Sequence, residues 1–446
     1  MLSIPSLWTG IDFSESAGSQ QTIEFLRRAG NQLLDIHQFL TNEDHVEPFL
    51  SVTLYNIHRL RLLNIASCIF HLEDVLTWFI SPAPELKYLT ISNDSNVTGR
   101  DVRLHSTIFA GQLPSLIDLS LDNVCVDLRS FSFPSLTRFD IRTSTIKPLE
   151  DFTSFFKQCP SLESIQLDFE YYIPQPPAPP PRERVRLAAL KDLRLNDVAC
   201  VSGLLDHLAL PQCTELYLKG MFTGETHNPE NGEPAARIHP SSIDHLPITR
   251  GISKAVAMPN SCVFSGPNGN LRFWCFDGTR GDFDAKFFTS FSPIPVLEIR
   301  ELWVGQTSWI RFGNTRRPWK QTTGGVLGAF KVLTKVEDLN IVDCETEAFL
   351  TTLGSTTGGD ILLPGLRRLT IYVGVGDLDV TALVQCAKAR KEYFRQLEDV
   401  TVVLEQEPGA LFALGVESLR EFVGELVCRV GTTPNLTWTG DDRGLW

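Results

Sequence analysis

A recurring Pro-x-Leu-x-x-Leu-x-Leu unit constrains this chain more than any other feature. Its clearest copy is Pro114-Ser115-Leu116-Ile117-Asp118-Leu119-Ser120-Leu121. The stretches Pro134-Ser135-Leu136-Thr137-Arg138-Phe139-Asp140-Ile141 and Pro160-Ser161-Leu162-Glu163-Ser164-Ile165-Gln166-Leu167 repeat it. The last two apolar positions stand two apart, the period of a strand that shows alternate side chains to a core. A unit this short cannot bury its apolar side alone, so each copy must be covered by the next.

Degenerate copies extend the series through Leu34 and Ile36, Leu60 and Leu62, Leu89 and Ile91, Leu193 and Leu195, and Leu216 and Leu218. After an irregular interval come Leu302 and Val304, Leu339 and Ile341, Leu369 and Ile371, and Val400 and Val402. Most copies recur about every 20–30 residues, the range of leucine-rich repeats, in which each unit is one strand and a return. The expected fold is therefore α/β: a leucine-rich-repeat solenoid with an inner parallel sheet, irregular helical or loop returns, and a C-terminal helical cap. The cap is read from Val416 to Val430, where Val416, Leu419, Phe422, Val423, Leu426 and Val427 line one side of a helix.

Four regions follow along the chain. Residues 1–30 are a lead-in and N-terminal cap, with an amphipathic helix over Gln21 to Ala29 ended near Gly30. Residues 31–219 carry repeats, with helical returns over Leu72 to Ile80 and Leu149 to Phe156. Residues 220–295 are an irregular repeat region with an insertion, in which Cys262-Val263-Phe264 and Leu271-Arg272-Phe273-Trp274-Cys275-Phe276 flank a Gly266-Pro267-Asn268-Gly269 turn. Residues 296–446 return to repeats and the cap, with a helix-compatible stretch from Val380 to Phe394. The run Pro174 to Pro181 interrupts the repeats as an extended surface loop, or as a PxxP ligand.

Composition excludes several function classes. Net charge is -13, so the overall field disfavours nucleic acid and anionic membrane surfaces. No apolar run approaches the ~20 residues that cross a bilayer as a helix, so no membrane association is expected. The ten cysteines are scattered, without a Cys-x-x-Cys pair, and Cys125, Cys159, Cys200, Cys213 and Cys344 sit beside repeat strands as small buried hydrophobes. Free thiols fit the cytoplasm or the nucleus.

The nine histidines form no His-Glu-x-x-His motif, and no glycine-rich stretch carries the Lys-Ser/Thr end of a phosphate loop. No catalytic residue, cofactor or metal is assigned. Recognition is expected instead from strand positions that alternate with the leucines: Ser120, Asp122, Asp140, Arg142, Asp168, Arg194 and Asn196. Trp309, near Arg311, Arg316 and Arg317, is added as an aromatic contact of the kind interfaces favour. The expected partner is an unidentified protein, and the alternatives are an adaptor-independent scaffold and an enzyme with an unrecognised pocket.

The lead-in Leu2-Ser3-Ile4-Pro5-Ser6-Leu7-Trp8-Thr9-Gly10-Ile11-Asp12-Phe13, followed by Phe25-Leu26-Arg27-Arg28-Ala29-Gly30-Asn31-Gln32-Leu33-Leu34-Asp35-Ile36, resembles the F-box and leucine-rich-repeat-like proteins of mushroom-forming fungi. In that family the first segment looks like the chain immediately after the F-box helices. The resemblance implies a substrate-recognition arm of an F-box-type ubiquitin ligase. The helical F-box with its Leu-Pro-type start is not in this sequence, so a Skp1-type adaptor is expected as a partner only if an upstream F-box exists.

Overall fold

The computed structural model describes residues 4–13, 19–41, 43–68, 72–94, 102–143, 149–169, 183–196, 201–219, 243, 245–258, 261–274, 298–305, 330, 333–342, 346–357, 360–373, 378, 380–393, 395–406 and 410–432. Pro174 to Pro181, Trp309, Arg311, Arg316, Arg317, Cys200 and Cys344 lie outside them. The chain divides into two compact units, one of residues 1–219 with 236–238, the other of residues 220–235 with 239–446. Both are mixed α/β and built on mostly parallel strands.

In the first unit the strands are β1 (Gly10–Asp12), β2 (Leu34–Leu40), β3 (Leu60–Ser67), β4 (Tyr88–Asn93), β5 (Val102–Leu104), β6 (Asp118–Asp122), β7 (Val124–Val126), β8 (Arg138–Thr143), β9 (Ser164–Phe169), β10 (Val185–Arg186), β11 (Asp192–Asn196), β12 (Leu208–Ala209) and β13 (Glu215–Lys219). A parallel ladder runs β1-β2-β3-β4-β6-β8-β9-β11-β13. The short strands pair separately, β5 with β7 and β10 with β12.

Register explains why the leucines recur. Ile11, Ile36, Leu63, Leu89, Leu119, Phe139, Ile165, Leu193 and Leu216 stand side by side in one column, and each is buried. A second column holds Ile65, Ile91, Leu121, Ile141, Leu167, Leu195 and Leu218. Each such side chain contributes about 1.5–3 kcal/mol on leaving water. In β3 the columns pass through Leu63 and Ile65 rather than the expected Leu60 and Leu62. A register shift between Leu34 and Asp35 of β2, which face Leu60 and Leu62, inserts one extra residue into β3 and moves the alternation along by one.

The returns pack phenylalanines behind the strands. Phe13, Phe49, Phe79 and Phe109 follow one another at ring-centroid distances of 5.9, 6.2 and 5.5 Å. In a second cluster Phe155 packs against Phe139 at 4.8 Å and Phe133 at 6.1 Å. It lies on the helix Leu149–Gln158, whose Phe152, Phe155 and Phe156 are all buried. The helix Ser19–Ala29 ends at Gly30, where a φ of 57° suits a residue without Cβ. The helix Leu72–Thr77 is shorter than its expected span, and Ile80 is exposed.

The second unit contains β14 (Lys254–Met258), β15 (Ser261–Gly266), β16 (Gly269–Trp274), β17 (Glu301–Gly305), β18 (Asp338–Val342), β19 (Thr356–Thr357), β20 (Asp360–Ile361), β21 (Arg368–Val373), β22 (Leu397–Leu404) and β23 (Val423–Val430). A parallel run links β14-β17-β18-β21-β22-β23. On its other side β14 joins the antiparallel pair β15 and β16, which turns at Pro267-Asn268 between Gly266 and Gly269. β19 and β20 make a small antiparallel pair. The inward columns are Ala255, Leu302, Leu339, Leu369, Val400 and Leu426, and Ala257, Val304, Ile341, Ile371, Val402 and Cys428.

The expected C-terminal helical cap over Val416 to Val430 is corrected. The chain forms a helix at Ala410–Leu419 and then the strand β23. Val423, Val427, Val430 and the intervening Gly424 are poor helix formers, and β-branched side chains suit a pleated surface. β22 supplies a complete ladder partner, which outweighs the weak helical periodicity of the segment. Nearby, the helix Val380–Glu392 buries Arg390 completely, and its guanidinium donates to the carbonyls of Leu362 at 2.9 Å and Leu363 at 2.8 Å.

Candidate protein-interaction face

Residues that alternate with the first unit's inward columns fall in three outward rows. One holds Asp35, Leu62, Tyr88, Asp118, Arg138, Ser164, Asp192 and Glu215. The next holds His37, Asn64, Thr90, Ser120, Asp140, Gln166, Arg194 and Tyr217. The third holds Phe39, Ala66, Ser92, Asp122, Arg142, Asp168, Asn196 and Lys219.

Ser120, Asp140 and Arg194 thus share one row, and Asp122, Arg142, Asp168 and Asn196 share the adjacent row, all on the neighbouring strands β6, β8, β9 and β11. Trp309 lies outside the described residues. Asn196 needs a correction as a surface contact: it is only 1% exposed. Its Nδ2 donates to Asp168 Oδ2 at 2.8 Å, and this bond draws the side chain down against the sheet.

Carboxylates outnumber cations across these strands: Asp118, Asp122, Asp140, Asp168 and Asp192 stand against Arg138, Arg142 and Arg194. Arg138 reaches Asp118 at 3.2 Å, Arg142 reaches Asp140 at 3.4 Å and Arg194 reaches Asp192 at 3.1 Å. Burial pushes the Asp140 carboxyl above its ordinary pKa; Arg142 opposes the shift, while Asp122 and Asp168 add to it. Burial raises Asp118 in the same way, against the pull of Arg138. Among the described residues, Asp140 Oδ1 and Asn196 Oδ1 are buried acceptors with no donor. Both oxygens are closed to solvent, so what this face offers a partner is its surplus carboxylate charge, which favours an incoming cation.

Tyr88, 40% exposed, and Phe39, 45% exposed, bring aromatic surface to the same rows. They and the pairs Asp118–Arg138 and Asp192–Arg194 were not selected from the sequence. The signal was present, because the residue just before the first leucine of each unit faces the same way as the residue just after it.

Other features carry no comparable arrangement. Cys125, Cys159, Cys213 and Cys386 are free and buried. Burial raises the thiols of Cys159 to about 11 and Cys213 to about 12, so both stay protonated near neutral pH. An open cleft among the turns is lined by Pro82, Pro84, Leu113, Pro114, Ser132 and Pro134, without a titratable side chain. Among the described residues no group of three or more His, Cys, Asp or Glu side chains is placed to hold a metal ion, and no helix is long and apolar enough to cross a membrane. No protein-family model matches the chain, and no characterised protein matches it significantly.

Proposed function

We propose that this chain is a non-catalytic protein-binding scaffold, a leucine-rich-repeat solenoid whose outward rows on β6, β8, β9 and β11 receive a basic segment of a partner protein. The observation that carries the reading is the surplus of aspartates around Asp140, with Asp118, Asp122, Asp140, Asp168 and Asp192 set against Arg138, Arg142 and Arg194. A lysine or arginine of the partner supplies the missing positive charge. Tyr88 and Phe39 add the aromatic area that interfaces favour. The buried free thiols fit a reducing compartment, the cytoplasm or nucleus.

Proximity labelling, followed by reconstitution of a direct complex from purified proteins, identifies the partner. The double reversal Asp140→Lys, Asp168→Lys then weakens that complex at least ~10-fold, a change of about 1.4 kcal/mol. Unchanged affinity overturns the assignment of this face. The finer reading from the lead-in, a ubiquitin-ligase substrate arm, is tested separately by coprecipitation with a Skp1-type adaptor, using this chain and an upstream-extended product. If neither product binds, the adaptor-linked reading falls and the scaffold stands alone.

A further inference from the structure

β23 ends its ladder. Among the described strands it pairs with β22 alone, so no described strand covers the main-chain donors and acceptors on the other edge of its eight residues. Glu425, Val427, Cys428, Arg429 and Val430 are exposed. Leu426 and Cys428 continue the inward columns of Val400 and Val402, yet Cys428 is open to solvent.

The charges along this edge are unbalanced. One outward row of the second unit reads Lys254, Glu301, Asp338, Arg368, Asp399 and Glu425. Lys254 pairs with Glu301 at 2.9 Å and Arg368 pairs with Asp338. Asp399 then stands opposite Glu425, an unfavourable like-charge neighbour. Glu425 and Arg429 form no ion pair with another described residue. Among the described residues the edge therefore carries an unmatched anion and an unmatched cation on one face of one strand.

We propose that a second copy of this chain pairs antiparallel with β23 across a two-fold axis at Val427. In that register Val427 meets Val427 of the second copy, Leu426 meets Cys428, and Glu425 meets Arg429. The strand is self-complementary: both acid–base pairs form on the outward face, while Leu426 and Cys428 cover each other on the inward face. Moving the centre by one residue puts Glu425 opposite Val427 or Gly431 and leaves the charges unmatched, so charge selects a single register. Occupation by a second copy also places a cation beside the Asp399 and Glu425 pair. One strand pair buries less surface than the ~1,200 Å² of a stable interface, so the association is a weak one that grows as the chain is concentrated.

The test is the oligomeric state of the full chain, measured by sedimentation across a concentration series. The wild type dimerises; Arg429→Glu, which sets two glutamates against each other at both ends of the pair, weakens the dimer at least ~10-fold. The double variant Glu425→Arg, Arg429→Glu restores it. Register is read independently in a Cys428→Ser background, where Val427→Cys forms an intermolecular disulfide. Glu425→Cys does not, because directly opposed residues lie ~4.5–5.5 Å apart and offset ones fall beyond disulfide reach. A chain that stays monomeric throughout the series, a dimer indifferent to Arg429→Glu, or equal cross-linking by both cysteine variants overturns the proposal.

Discussion

Ala110 sits between Phe109 and Gly111 in three consecutive left-handed conformations, with φ of 51°, 56° and 66°. Only glycine adopts this region freely, and an L side chain there costs roughly 1–2 kcal/mol. Ala110 is exposed and fills no core space. Replacing it with glycine should raise stability by about 1 kcal/mol in urea denaturation. Asp140 carries a sign that runs the other way from most surface carboxylates. Its raised pKa means the folded state holds the proton more tightly, so the stability it contributes is full below the ordinary carboxylate range. That contribution is lost as pH rises through the folded value. Asp140→Asn should therefore stabilise the fold at neutral pH, with the gain disappearing in acid, as denaturation at several pH values will show. The outward placement of Ser120, Asp140 and Arg194 was legible in the two-residue alternation. The burial of Asn196 was not, because it depends on its bond to Asp168 one strand away.

Elements owe their form partly to pattern and partly to neighbours. The columns through Leu89, Leu119, Phe139, Ile165, Leu193 and Leu216 follow directly from the repeat, as do Leu302, Leu339, Leu369 and Val400. Ala255 and Ala257 of β14 are not legible in the repeat because their small side chains give no leucine signal, although they occupy the same columns. The terminal segment departs from its expected helix for a physical reason: apolar residues at Val423, Leu426 and Val427 satisfy a helical stripe, and only the presence of β22 decides for the strand. The helix Val380–Glu392 was legible as a helix, but not the burial of Arg390 within it. Arg390 satisfies the carbonyls of Leu362 and of Leu363, the latter at a φ of 46°. Arg390→Ala removes both donors and leaves buried acceptors, and should cost about 2–5 kcal/mol in chemical denaturation. Arg390→Lys should recover only part of the loss, because an ammonium lacks the guanidinium fork that spans both carbonyls.

At the scale of the whole molecule, the net charge of -13 and the surplus aspartates on the first unit act in the same direction. Capture of a basic partner should accelerate at low salt and slow as screening shortens the reach of the field. Stopped-flow association at several ionic strengths will measure that dependence, and an association rate insensitive to salt would separate recognition from charge.

Because Leu119, Phe139, Ile165 and Leu193 face one way while Ser120, Asp140, Gln166 and Arg194 face the other, mutation can rewrite the outer letters without disturbing the inner ones. A lineage built on such a ladder can change its outer surface one strand at a time. Its tolerance to change should then be read as stripes along the sequence, with outward residues more tolerant than the inward ones between them.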